Sequence, residues 1–235
     1  MIFVTGAING NQCLWETCVA PMLKDGDTVI CTGDFGIGSF NGCPMTEKQF
    51  FDYLSKKKYT ILFVDGEKEN YRKLRRHCVS RWNGGWVHRI RPNIIHLMRG
   101  EVYEIDGKSL LAFGGAASVE TPFRVPGKNW WPEEMPSKRE YANAYRNLRR
   151  CNYRVDYIIT HTCPKRMLNY MPLWRNATTE ELPLMEFFDE IRMLVRYRKW
   201  YFGHFCEDRE MEDNQYAVLH DIRELDTGRW VVYRI

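Results

Sequence analysis

Five polar residues stand at one recurring place in this sequence. Asp34, Asp65, Glu67, His161 and His204 each come just after a short apolar run. Carboxylates and imidazoles gathered at one point make a hard-to-borderline metal site. Gly33, Gly66 and Gly203 adjoin these residues, and glycine lets backbone and ligand approach closely. A single Gly-Asp turn or a single histidine says little. The shared position after a run carries the signal.

The runs that must position these residues are Ile2-Phe3-Val4, Thr28-Val29-Ile30-Cys31, Thr60-Ile61-Leu62-Phe63-Val64, Leu110-Leu111-Ala112-Phe113, Tyr157-Ile158-Ile159 and Trp200-Tyr201-Phe202. Nearly continuous apolar runs of this length predict strands buried on both faces. Helical spacing separates several of them, over residues 11–24, 46–57, 137–150 and 179–196. Thr46 with Gln49, and Ser137 with Glu140, match the capping box that opens a helix. This alternation is the grammar of an α/β protein, and in such sheets ligands bind beyond the C-terminal strand ends. A meander is predicted over 84–89, 94–98 and 102–105, with Asp106-Gly107 turning the chain toward Leu110. Residues 215–222 and 230–235 read as strands, with a hairpin loop at 224–228. Residues 116–136, rich in Gly, Pro and Trp, read as a surface excursion from a single domain spanning 1–235.

Composition narrows the class. The chain has 235 residues, 44% hydrophobic and 27% charged, enough for a large core and unlike a disordered chain. Its formal net charge of +4 is too small an excess to argue for nucleic acid or an anionic membrane. The opening Met-Ile-Phe-Val-Thr-Gly has no basic n-region and no long apolar stretch follows it. No signal peptide or membrane span is expected, and a cytoplasmic location is. The eight cysteines include no Cys-x-x-Cys pair, so reduced, mostly buried thiols are expected rather than a zinc ribbon. The basic stretches 72–76 and 192–199 read as a solvated helix face and a helix end. His77, His88, His96 and His220 lie away from the strand tips and are not counted as ligands.

Over almost its whole length the chain resembles the calcineurin-like metallophosphoesterases. That family reads Gly-Asp-x-His-Gly after its first strand, Gly-Asp after the second and Gly-Asn-His-Glu after the third. A Thr-His and a Gly-His-x-His follow later strands. The matching segments here are Gly6-Ala7-Ile8-Asn9-Gly10, Gly33-Asp34, Gly66-Glu67-Lys68-Glu69, Thr160-His161 and Gly203-His204-Phe205-Cys206. A Gly114-Gly115-Ala116-Ala117-Ser118 run lies between the third and fourth. The resemblance implies a two-sheet β-sandwich flanked by helices, in four αββα layers. It also implies a dinuclear site that hydrolyses phosphomonoesters or phosphodiesters.

The departures are grouped. One metal of the family takes the aspartate and histidine of the first motif, the bridging aspartate and the last histidine. Three of these four positions are Ala7, Asn9 and Cys206, and only Asp34 remains. The second metal's positions are Asp34, Glu67, His161 and His204, all able to ligate. Lys68 stands where the family has a histidine near the scissile phosphate. Lysine, with an unperturbed pKa of about 10.4, is a poor proton donor near neutrality but a good point charge for phosphate. It could also neutralise Asp34 or Glu67. The resemblance therefore implies one divalent ion (manganese, zinc, iron or magnesium) or none, and impaired catalysis. The crevice would then bind a phosphorylated ligand such as a nucleotide, or a protein partner. The alternative is a mononuclear phosphodiesterase or phosphomonoesterase. Arg124 and Lys128 suit phosphate and Trp130 suits a stacked base, although a Trp130-Trp131 pair that simply anchors the long loop against the domain is the favoured reading.

Overall fold

Residues 1–38, 45–119, 124–171 and 178–233 are described by the structure, a computed structural model. Strands β1 (Ile2–Thr5), β2 (Thr28–Cys31) and β3 (Thr60–Phe63) lie parallel, in a register that sets Thr5 beside Cys31 and Cys31 beside Phe63. The chain therefore leaves all three at one level. To these are added β4 (Cys78–Trp82), β5 (Gly85–Arg91), β6 (Ile94–Leu97), β13 (Asp221–Glu224) and β14 (Trp230–Tyr233), in the order β14-β13-β1-β2-β3-β6-β5-β4. A second sheet runs β11-β12-β10-β9-β8-β7. Its strands are β7 (Glu101–Ile105), β8 (Lys108–Phe113), β9 (Tyr157–Thr160), β10 (Lys199–Phe202), β11 (Arg209–Met211) and β12 (Gln215–Ala217). Within it β8, β9, β10 and β12 are parallel.

The strands read as continuous apolar runs because successive side chains enter different cores. Phe3, Val29, Ile61 and Phe63 pack with Trp15, Phe50, Phe51 and Leu54 from the helical segments. Val4, Ile30 and Leu62 instead meet Leu110, Ala112, Ile159 and Tyr201 of the other sheet. On that sheet's remaining face, Leu111, Phe113, Ile158 and Trp200 pack against Leu148, Leu184, Phe188 and Ile191.

Both capping boxes form. Thr46 caps α2 (Glu47–Leu54), accepting from the Gln49 N–H at 3.3 Å, and the Gln49 side chain accepts from the Thr46 N–H at 2.9 Å. Ser137 and Glu140 do the same for α4 (Lys138–Arg150). The helix expected over 179–196 is α5 (Leu182–Leu194). The one expected over 11–24 is broken into α1 (Gln12–Leu14), a π-helical turn (Trp15–Val19) and a 3-10 turn (Ala20–Met22) that contains Pro21. The basic stretch at 72–76 contributes to a short α3 (Tyr71–Leu74), with its arginines and lysine exposed. Among the described residues no helix is long and apolar enough to cross a membrane.

Three expectations are corrected. The meander does not stay in one sheet: β5 and β6 pair in the larger sheet, whereas β7 crosses over to pair with β8. The predicted strand 215–222 is two strands in two sheets. Asp208 holds the crossing between them, its carboxylate accepting the N–H groups of Leu219, His220 and Asp221 at 2.7–3.0 Å. The stretch 116–136 is only partly at the surface. Ala116, Ala117, Ser118, Trp131 and Glu134 are buried, and the Ser118 N–H donates to Glu134 at 3.0 Å. Edge strand β4 escaped the sequence reading because its residues are mostly exposed and lack an apolar run.

Asp65 is also reassigned. Although it follows β3, its carboxylate faces Arg99, which donates two hydrogen bonds to Oδ2, and His96, whose Nε2 lies 2.9 Å from Oδ1. The Tyr71 hydroxyl donates to it at 2.9 Å. Arg99 also donates to the carbonyls of Glu133 and Glu134 at 2.9 and 3.0 Å, tying the excursion to the sheet. Burial works against charge on Asp65, but Arg99 and His96 outweigh it and hold the carboxyl far below the usual range. Replacing Arg99 leaves this carboxylate buried and unpaired, so Arg99→Met is expected to cost about 3–5 kcal/mol in urea unfolding at neutral pH. The depressed native pKa makes the pair's contribution full above the unfolded value of about 3.9 and lost as pH falls below it. The gap between wild type and variant should therefore narrow in acid titrations below about pH 4.

Candidate metal centre

Loops leaving β1, β2, β3, β9 and β10 meet at one end of the two sheets. They enclose a cavity of about 380 Å³ lined by Ala7, Asn9, Asp34, Glu67, Lys68, Arg124, His161, His204 and Cys206, together with Val119, Phe205, Val218 and Leu219. Asn9, Asp34, His204 and Cys206 all adopt left-handed backbone, with φ of 52°, 51°, 65° and 48°. Non-glycine residues adopt that conformation at a cost, and it recurs at functional turns. The glycines have a concrete use. A Cβ on Gly33 would lie 2.0 Å from His161 Nδ1, and one on Gly66 would lie 2.2 Å from Asp34 Oδ1 and 2.7 Å from His161 Nε2.

His161 fixes the chemistry. Its Nδ1 is 2.7 Å from the Thr32 carbonyl oxygen. A carbonyl only accepts, so Nδ1 carries the hydrogen and Nε2 is left to face the carboxylates. Glu67 Oε2 is 2.7 Å from that Nε2 and 3.3 Å from His204 Nδ1. One ligand atom from each of Glu67, His161 and His204 lies within 4.8 Å of the others, and together they could hold a metal ion. The donor set of two imidazoles and a carboxylate suits zinc, manganese or iron.

Asp34 is the fourth ligand that the sequence suggests, and it stands beside this group. Its Oδ2 is 3.7 Å from His161 Nε2 and 3.7 Å from the Lys68 amine. Its Oδ1 accepts the Lys68 N–H at 2.9 Å. The Lys68 amine is also 3.9 Å from Glu67 Oε1. Burial and the charge of Glu67 push the Asp34 carboxyl up, against the pull of His161 and Lys68. Burial lowers the Lys68 pKa, but Asp34 and Glu67 outweigh it and raise the ammonium above its usual value. Burial likewise opposes charge on the imidazoles. Asp34 and Glu67 nevertheless lift His161 to about 9, and Glu181 and Glu67 lift His204 well above the ordinary imidazole value.

Lys128 and Trp130 do not line the cavity. Lys128 is exposed and Trp130 half-buried, while Trp131 packs into the core of the larger sheet. Cys163 is buried, and burial pushes its thiol well above the usual value. Two further residues matter here: Glu69, the last residue of the third strand-tip segment, and Glu181, which follows no strand and carried no signal in the sequence. Glu69 accepts N–H groups from Phe35 and Gly66 at 2.7 Å each and from Gly36 at 3.3 Å, clamping two site loops together. Burial and nearby Asp34 push its carboxyl up to about 8, against the pull of these donors. Glu181 is wholly buried behind His204, 3.4 Å from its Nε2.

The close approach at Gly66 is testable. Gly66→Ala must displace Asp34 or His161, and an overpacked substitution of this kind is expected to lower stability by about 1–3 kcal/mol. A denaturant melt and a crystal structure of the variant measure both effects; an unchanged melt with unmoved side chains contradicts the packing described. No protein-family model matches this chain and no curated protein matches its sequence.

Proposed function

We propose that the chain is a divergent calcineurin-like metallophosphoesterase. Its crevice holds one divalent cation and a phosphorylated ligand, and hydrolysis is impaired. The observation that carries this is the orientation of His161, with Nδ1 bound to the Thr32 carbonyl and Nε2 turned to Glu67 and His204. Ala7, Asn9 and Cys206 line the same cavity, at positions where the family resemblance would call for a second ligand set. Alanine cannot ligate, and asparagine offers a neutral oxygen. The order of the strand tips and the three cores, one shared between the sheets, support the four-layer αββα reading of the fold.

A divalent ion held by Glu67, His161 and His204 supplies Lewis acidity toward a phosphoryl oxygen. Lys68, half-exposed to the cavity, offers a fixed positive charge to phosphate, and Arg124 offers a second. With its pKa raised, Lys68 keeps its proton and serves a leaving group poorly as an acid. This combination binds phosphate better than it cleaves an ester. Loss of one metal and one acid is each commonly worth 10² or more in rate. Asp34, retained beside the three ligands, favours the second reading, a slow mononuclear phosphoesterase.

Metal analysis and calorimetry with manganese and inorganic phosphate test the proposal. The expected result is about one ion per chain, and phosphate binding weakened at least tenfold by Lys68→Met. Turnover of an aryl phosphodiester should be very low. It should rise in the combined Ala7→Asp, Asn9→His, Cys206→His variant. Ready turnover by the wild type that disappears in Asp34→Ala would establish the mononuclear enzyme instead. Absence of any bound divalent ion would overturn both.

A further inference from the structure

Glu181 poses a problem of charge. Its side chain is fully buried, and neither carboxylate oxygen has a well-formed hydrogen bond among the described residues. Burying an unpaired carboxylate is strongly unfavourable. The residue immediately precedes α5, whose N-terminal dipole favours a negative charge there, but its side chain makes no capping bond. The group it faces is His204, with Nε2 at 3.4 Å from Oε2.

His204 lies between two carboxylates. Its Nδ1 is 3.3 Å from Glu67 Oε2, the same oxygen that His161 approaches at 2.7 Å. The two ring nitrogens are not equivalent: the partner that takes the N–H decides which nitrogen is left as a donor. We propose that Glu181 is a positioning residue of the metal centre, accepting the Nε2–H of His204 so that the Nδ1 lone pair faces the cation beside Glu67 and His161. This rests on the metal-binding reading of the site.

The two histidines then present opposite ring nitrogens for different local reasons. The Thr32 carbonyl leaves Nε2 of His161 as the donor. Glu181 leaves Nδ1 of His204. A carboxylate is a stronger acceptor than a carbonyl, so His204 becomes the more basic of the two ligands. The arrangement also accounts for the buried carboxylate, which contributes negative charge just behind the cation it helps to retain.

The test compares ion affinity, measured by calorimetry with zinc and manganese, in wild type, Glu181→Gln and Glu181→Leu. Removing an outer partner of a ligating histidine commonly costs 10–100-fold in affinity. Glu181→Gln should fall near the lower figure, because its amide oxygen still accepts the N–H, and Glu181→Leu near the upper. Cobalt-loaded wild type should show two slowly exchanging imidazole N–H signals by proton NMR, and the Leu variant one. This spectroscopic signature is read on the wild type as well, so it stands if Glu181→Leu fails to fold. Unchanged affinity in both variants, or a single protected signal in the wild type, overturns the proposal while leaving the metal site intact. A wild type that binds no divalent ion overturns the proposal together with the functional reading beneath it.

Discussion

The carboxylates of Asp34, Glu67 and Glu181 are all buried within reach of two imidazoles, and their charge has to be balanced where it stands. Water cannot screen it there, so each carboxylate depends on a specific neighbour. Among the described residues, Lys68 brings an ammonium within 4 Å of Asp34 and Glu67, and protons on the imidazoles or one divalent cation would supply further positive charge. The site loops are arranged around that requirement. Glycines at 33 and 66 leave room for His161 and Asp34, and Glu69 binds the two loops together through backbone N–H groups.

The same principle recurs at Asp65, two residues before Glu67, with a different solution. Asp65 turns to the other side of the strand tip and is neutralised by Arg99 within the protein. Arg99 in turn holds the carbonyls of Glu133 and Glu134. A permanently paired carboxylate thus anchors the loop whose next carboxylate, Glu67, is left to face the cavity. One pair is complete in itself, and the neighbouring group belongs to a cluster that could hold a cation.

The cavity is mixed in its chemistry. Glu67, His161 and His204 bring ligand atoms within 4.8 Å of one another, and Ala7, Asn9 and Cys206 line the same cavity. Lys68 lies near Asp34 and Glu67 and is partly exposed. A fixed ammonium there favours an anionic ligand and offers little as a proton source at neutral pH, and the proposal of binding over turnover rests on it.

Much of this was legible from residues close together in the chain. The apolar runs marked β1, β2, β3, β8, β9 and β10, since burial on both faces demands apolar side chains at successive positions. Thr46 with Gln49 and Ser137 with Glu140 marked two helix starts, because a capping box is closed by residues three apart. The polar residues at the strand ends marked the site. Sequence could not tell that β7 leaves the sheet of β5 and β6, or that Asp208 splits 215–222 between two sheets. Nor could it tell that Asp65 faces Arg99 while Glu67 faces His161, or that Glu181 stands behind His204. Each of these depends on contacts between segments distant along the chain. Local periodicity therefore determined which residues form strands and which polar groups end them. Only the tertiary packing decided which of those groups share a buried charge, because that is set by which loops the two sheets bring together.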